Sequence, residues 1–311
     1  MDAVATSLAQ THSSLEVLVI DNASVDGTAD AVRDNFGERV EVIRFEKNFG
    51  YTGGYNRAFR LARGEFFLVL NPDARLEADY VEKALPAFED ERVGMVAGLL
   101  LRADRQTVDS SGQFLARSRC TLDRGYGRPA SKARDRAGTI LAACGAAAMY
   151  RRRMVEDLAD DGEFFDAGYF AYHEDLEVGW RAWRAGWRAL FVPEAIAIHL
   201  RGSGQGGQRG VARIRRMLDR PAAIQCHILK NRYLAMIRHD AFTSICRDLP
   251  WILWREATVM PLLVLRRPDV LRRLWRHRRL FRRAWRQRRE DRRRRGVWGP
   301  WSRQTPPRGV W

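Results

Sequence analysis

This chain of 311 residues lacks paired cysteines and long apolar runs. Its four cysteines, Cys120, Cys144, Cys226 and Cys246, lie far apart with no Cys-x-x-Cys spacing. That argues against a zinc knuckle or a disulfide framework and for a reducing compartment. The opening residues do not read as a signal peptide, and no run of about 18 apolar residues reads as a membrane span. An excess of acid is missing too, since the formal charge is +16. Spread evenly, that charge would suggest a nucleic-acid binder. It is concentrated instead: residues 266–311 hold 18 arginines against three acidic residues, leaving 36 basic and 35 acidic residues in 1–265. The body is nearly neutral and the basicity belongs to a tail. No internal repeat is visible, and the length allows one large domain with appendages.

What is present is organised around Glu65–Asp73. Five apolar residues, Phe66–Leu70, too short for a buried helix, read as a central strand buried on both faces. Asn71-Pro72-Asp73 follows, so a rigid element delivers Asp73 to the strand ends where ligands gather in open α/β sheets. Pro72 restricts its own backbone and that of Asn71. A carboxylate held this way suits a divalent cation and its phosphates. Plain turn chemistry explains the tripeptide equally well.

Along the chain, residues 2–10 read as a helix end and Leu15–Ile20 as a strand ending in Asp21-Asn22. Thr28 can cap a helix to about Asn35, and Val40–Phe45 reads as a third strand. Asn48-Phe49-Gly50 with Gly53-Gly54-Tyr55-Asn56 leads into a helix that Gly64 ends. Glycines there allow close backbone approach to a phosphate or sugar, and equally a tight turn. A helix at Ala78–Glu89 and a strand at Val93–Leu101 precede a polar excursion, residues 102–138, with little periodicity. Ala142–Tyr150 reads mostly as a core strand.

Glu174-Asp175-Leu176-Glu177 opens a helix with Leu176, Trp180, Trp183 and Trp187 along an apolar side and Arg181 and Arg184 outside. Acids in a first turn are ordinary dipole partners. Arg188–Pro193 and Ile196–Leu200 read as two extended segments, with His199 near the end of the second. A lone histidine is usually a satisfied polar residue. The arrangement as a whole points further.

Five motifs in order resemble an inverting glycosyltransferase of family 2, GT-A type, and most its rhamnosyltransferase-like branch. They are Leu15–Thr28 with Asp21, Asn48-Phe-Gly50 with Gly53-Gly54-Tyr-Asn56, Asn71-Pro-Asp73, Glu174-Asp175-Leu-Glu177 with Trp180-Arg181 and Gly186, and His199. The resemblance covers about residues 1–205. It implies an α/β fold with a Rossmann-like mixed sheet flanked by helices. By the same resemblance Asp21, Asn48, Gly53, Gly54, Asn56, Asn71 and Asp73 border the nucleotide-sugar. Asp73, with His199, is expected to meet Mg²⁺ or Mn²⁺ on the diphosphate, and Asp175 matches the catalytic base with Glu174 beside it. Asn71 stands where an aspartate is usual, which weakens metal binding, and Glu177 replaces an aspartate.

Members of that family begin with a strand ahead of the first helix, whereas this sequence starts inside the helix. We therefore expect a gap in the sheet and a natural start about 15–25 residues upstream, one mean strand plus a loop and two helical turns. Residues 206–265 read as helical, with Arg255, Glu256 and Pro261 breaking any membrane span. In the tail, 266–311, Leu271, Leu274, Trp275, Phe281 and Trp285 fall near one helical side amid arginines, which suits an anionic membrane surface. A solvated tail is the plainer reading, and disorder is expected from Arg292.

The expected enzyme transfers a sugar, rhamnose being the branch's guess, from a dTDP- or UDP-sugar to a lipid-linked or polysaccharide acceptor. Its expected place is the cytoplasmic face of the cell membrane. The alternatives are a truncated, non-catalytic nucleotide-binding protein and an arginine-tail nucleic-acid binder. The second is disfavoured because the strand-end acids Asp21 and Asp73 repel a polyanion.

Overall fold

The computed structural model describes residues 1–134, 137–200 and 217–294. The Gly202–Gly207 stretch, the 205/206 boundary and the tail beyond 294 lie outside the described residues. The N-terminal part runs α1 (Asp2–Leu8), β1 (Leu18–Asp21), α2 (Thr28–Phe36), β2 (Glu41–Arg44), α3 (Gly50–Leu61), β3 (Phe66–Leu70) and β4 (Ala74–Leu76). Then come α4 (Tyr80–Ala84), continued as a 3₁₀ turn to Glu89, and β5 (Val93–Leu101), β6 (Val108–Ser110), β7 (Gln113–Leu115) and β8 (Thr121–Asp123). After these follow α5 (Ser131–Arg134), β9 (Gly138–Ile140), β10 (Ala147–Arg151), α6 (Arg152–Leu158), α7 (Glu174–Ala185) and β11 (Arg188–His199). Four helices close the described chain: α8 (Ala222–His239), α9 (Phe242–Arg266), α10 (Pro268–Arg276) and α11 (Arg278–Arg294).

The main sheet has the order β3-β10-β5-β11-β4, with β6 beside β5 and β9 beside β11. It is mixed: β11 runs parallel to β5, while β10 is antiparallel to both β3 and β5. The long strand β5 and its neighbour β10 are buried at every residue, whereas β3 is not. Along β5 the side chains alternate, Met95, Ala97, Leu99 and Leu101 joining one core and Val96 and Leu100 the other. Strand β3 pairs only with β10 among the described residues, so Phe66, Leu68 and Leu70 stay half-buried. Strands β1 and β2 form a separate parallel pair. Strands β1 and β3 are each bonded on one side only among the described residues.

Several local expectations are revised. The two extended segments after Gly186 are one strand, β11, whose register against β5 shifts between Val192 and Ile196. The excursion at 102–138 contains three short strands, β6, β7 and β8, with β7 and β8 forming a hairpin. Gly27, not Thr28, occupies the cap position of α2, and the Asp26 carboxylate accepts from the Thr28 N–H and hydroxyl. Helix α3 ends at Leu61, and the Gly64 N–H is bonded to Glu16 rather than closing a helix.

The tail is built onto the body. Helix α11 reaches Arg294, and its Ala284 packs with Tyr169 and Leu234. Gln287 donates to Asp160 and Asp166, and Arg238 of α8 pairs with Asp291 at 3.1 Å. Trp275 and Trp285 face outward while Phe281 packs inward, so the expected side is divided, the chain breaking at His277 between two helices.

Candidate active site

Two acid centres sit at the ends of the sheet, and one short segment joins them. The first is the turn after β3. The Asn71 carbonyl accepts from the Ala74 N–H at 3.0 Å, and the Asn71 N–H donates to Ala146 at 2.9 Å, so the backbone holds the turn that carries Asp73. Strand β4 pairs with the end of β11, which sets His199 opposite Ala74. Consequently His199 Nε2 lies 3.3 Å from the Asp73 carboxylate. On its other side His199 Nδ1 is 2.8 Å from the buried Asp109 carboxylate, so the ring is held between two carboxylates.

The second centre is the first turn of α7. His173, Tyr172 and Phe170 all take left-handed backbone conformations just before it. Such residues are strained and persist only when surroundings hold them. Here Asn231 of α8 donates to the carbonyls of Tyr169, Ala171 and Tyr172, and Lys230 donates to Gly168. The loop therefore delivers Glu174 and Asp175 in a fixed direction. Asp175 Oδ2 accepts from Gln113 Nε2 at 2.8 Å and from the Gly145 N–H at 3.1 Å, and Oδ1 accepts from the Leu176 N–H at 2.8 Å. A side chain at residue 145 would place its Cβ 2.6 Å from the Tyr51 hydroxyl, so only glycine fits. Glu174 Oε2 is buried without a hydrogen-bond partner.

Burial pushes both carboxyls up, and the charge of Asp175 pushes Glu174 further, well above the usual range. The three donors favour ionisation of Asp175, so the pair divides into a carboxylate at Asp175 and a protonated acid at Glu174. The Gly145-Ala146 segment connects the centres, because Gly145 holds Asp175 while Ala146 holds the Asp73 turn. Tyr51 donates to Gly145 and Tyr55 to Leu70, bracing this segment from α3.

The remaining expected residues gather at the start of α3. Asp21 accepts from the Ser24 N–H and faces Arg44 at 3.3 Å. Asn22 accepts from the Phe49 N–H and donates to the Gly50 carbonyl, while Asn48 accepts from the Gly50 N–H at 2.7 Å. Gly50 is left-handed, and a Cβ there would lie 2.4 Å from the Phe170 carbonyl. Gly53 and Gly54 lie inside α3 rather than in a loop before it, and a Cβ on Gly53 would meet that of Phe49 at 2.7 Å. Asn56 is buried and spends its amide on both backbone groups of Phe165 at 2.8 Å.

Behind the acid pair lies a buried ionic cluster. Arg181, expected outside, is buried against Glu177 and the Leu158 carbonyl. Trp187, beyond the end of α7, packs against the core and donates to Asp157. Glu177 also accepts from His239 Nε2 at 2.8 Å and lies 3.7 Å from Arg238. Burial alone would raise Glu177, but Arg181, His239 and Arg238 hold it far below the usual range. Burial lowers His239 to about 4, so it is neutral and donates through Nε2.

The sequence reading missed Gln113, Asp109, Gly145 and Tyr51. The available signals were the polar run Asp109-Ser110-Ser111-Gly112 between apolar residues and the glycine within the small-residue stretch.

Comparison with known proteins fits this geometry. The glycosyl transferase family 2 model matches residues 2–159. The chain belongs to glycosyl transferase family 2. An N-acetylglucosaminyltransferase of Rhizobium sp. (strain N33) is 29% identical over 194 residues, covering 59% of this chain and 41% of that protein. The chain spans about half or less of the length of such curated relatives. GalNAc-T7 with UDP, GalNAc and Mn²⁺ superposes with a TM-score of 0.56 at 16% identity, covering 76% of this chain and 44% of that one. S. aureus TarS with UDP-GlcNAc gives a TM-score of 0.53 at 14% identity, covering 94% and 87%. The fold is GT-A.

Proposed function

We propose that this glycosyltransferase inverts configuration and uses Asp175 as its general base. The observation that carries the proposal is a buried carboxylate, fixed by three N–H donors and joined through Gly145-Ala146 to the Asp73 turn. Asp175 takes the proton of an acceptor hydroxyl as that oxygen bonds to the anomeric carbon from the face opposite the leaving group. The bond from that carbon to the phosphate oxygen breaks, and the nucleoside diphosphate departs with the electron pair. Protonated Glu174 keeps a second negative charge away from the base.

Asp73 and His199 fit Mg²⁺ or Mn²⁺ as a pair. No group of three or more ligating side chains occurs among the described residues, and such ions take one or two protein ligands plus substrate phosphates. When bound, the cation would neutralise charge on the departing diphosphate. Asp109, 2.8 Å from Nδ1, orients the His199 ring with Nε2 toward Asp73. Asp21, Asn48 and the Asn71 turn border the nucleotide in this reading, while Gly53, Gly54 and Asn56 shape its wall by packing.

The named relatives favour a UDP-N-acetylhexosamine donor over dTDP-rhamnose. A lipid-linked or polysaccharide acceptor at the cytoplasmic face of a membrane is our reading of the basic, aromatic C-terminal helices. A thermal-shift panel of UDP, dTDP and GDP with and without Mn²⁺ tests the donor. At a hundredfold excess over Kd a bound nucleotide adds about 2.7 kcal/mol. A Mn²⁺-dependent shift with UDP is expected; a shift with dTDP alone would return the rhamnose reading, and no shift with any would overturn the site.

A further inference from the structure

We propose that α9 is a membrane-docking helix that lies flat on an anionic lipid surface and presents the acid pair to an acceptor held there. This deepens the membrane-associated reading above and does not depend on the donor. The 25 residues of α9 extend about 37 Å at 1.5 Å per residue. Its inner side is anchored: Asp248 pairs with Arg119 at 2.9 Å, Glu256 with Arg232 at 2.7 Å, and Ile252 and Leu263 are buried. Its outer side is apolar. No exposed residue from Leu249 to Leu265 carries a charge. Leu253, Trp254, Val264 and Leu265 are 56%, 74%, 55% and 76% exposed, and the eleven-residue steps from Leu253 to Val264 and from Trp254 to Leu265, about three helical turns, place them in two adjoining stripes.

No helix among the described residues is long and apolar enough to cross a membrane. An apolar flank of this length with Trp at its surface suits the headgroup boundary instead. Charge selects the occupant. The chain continues from α9 into exposed Arg266, Arg272, Arg273, Arg276, Arg279 and Arg282, which complement anionic headgroups. A second copy of the chain seated on the same flank would bring two such arginine sets together.

The docking side also leads to the chemistry. Arg119, which grips Asp248 and Asp240, lies in the β7–β8 hairpin, and Gln113 at the start of that hairpin holds Asp175. A lipid-borne hydroxyl would thus approach from the surface one hairpin away from its base.

The test is co-sedimentation of the full chain with vesicles of phosphatidylglycerol and phosphatidylcholine in equal parts. The wild-type protein is expected to bind, and Trp254→Glu with Leu265→Glu to lower partitioning about tenfold or more. Circular dichroism and the UDP thermal shift should stay unchanged in that variant, which separates this test from the donor reading. Binding undiminished in the double variant would overturn the proposal, since the arginines alone would then suffice. So would a wild-type protein that ignores vesicles, or one that sediments as a dimer dispersed by the same substitutions.

Discussion

Glu174 and Glu177 stand one turn apart on the same helix and experience opposite surroundings. Glu174 faces the tyrosine-lined centre with Asp175, and burial beside a like charge drives its pKa up. Glu177 meets Arg181, Arg238 and His239, which overcome the same burial and drive its pKa down. Residue type therefore predicts neither charge state nor role; the partners do. The back of α7 is a compensated ionic cluster that fixes the helix, and the front carries no counter-charge, which is the setting the proposed base would use.

The comparison can be broken most severely at Asp175. Asp175→Asn should lower turnover by about 10²–10⁴-fold, measured as UDP released from UDP-N-acetylglucosamine, while the nucleotide thermal shift persists. Wild-type turnover in that variant would refute the assignment. The back of the helix breaks at Arg238, which reaches Glu177, Asp160, Asp166 and Asp291. Arg238→Met strands these carboxylates and should cost about 3–5 kcal/mol in denaturant unfolding.

A milder change sharpens the front. Gln113→Leu removes a donor to the Asp175 carboxylate, so its pKa rises further and the acid limb of the pH–rate profile moves to higher pH. A limb that moved down would reverse the assigned role of Gln113. The smallest effect is on acid stability. His239 is depressed to about 4 from 6.5, so the unfolded chain binds its proton first. The His239 contribution to stability should fall as pH drops from about 6.5 toward 4 and itself level off below, read as Tm across that range.

The strand ends and the acid motifs were legible because they combine a run of apolar residues with a polar stop. Val93–Leu101 was read to the residue, and α7 began at Glu174 as expected. Its C-terminus shows why composition misleads: Gly186 takes a left-handed conformation and caps the helix, so Trp187, read as part of its apolar side, lies beyond its end. Strand β3 was misjudged as central, since five apolar residues look alike at the middle of a sheet and beside its end. Arg181 was misplaced because helical periodicity treats every arginine as a surface residue, whereas carbonyls from Leu158 and Phe164 supply its partners. Gln113 and Asp109 escaped notice for a related reason. They come from an excursion without periodicity, and only the sheet pairing of β6 and β7 brings them to the acids. The tail's docking rests likewise on contacts distant in sequence, Asp291 with Arg238 and Gln287 with Asp166.

The most direct test of this division is to melt Glu174→Gln and Glu177→Gln side by side from pH 5 to 8. Glu174 has a raised folded pKa, so its contribution is fully present below its unfolded value near 4.5 and is lost as pH rises through the folded value. Glu177 is the reverse, contributing above its unfolded value and losing that contribution only in strong acid. Glu177→Gln should therefore lower Tm by several degrees across the whole range. Glu174→Gln should hold Tm near wild type at pH 5 and gain on it as pH rises. Two variants destabilised alike, with the same pH dependence, would contradict the account.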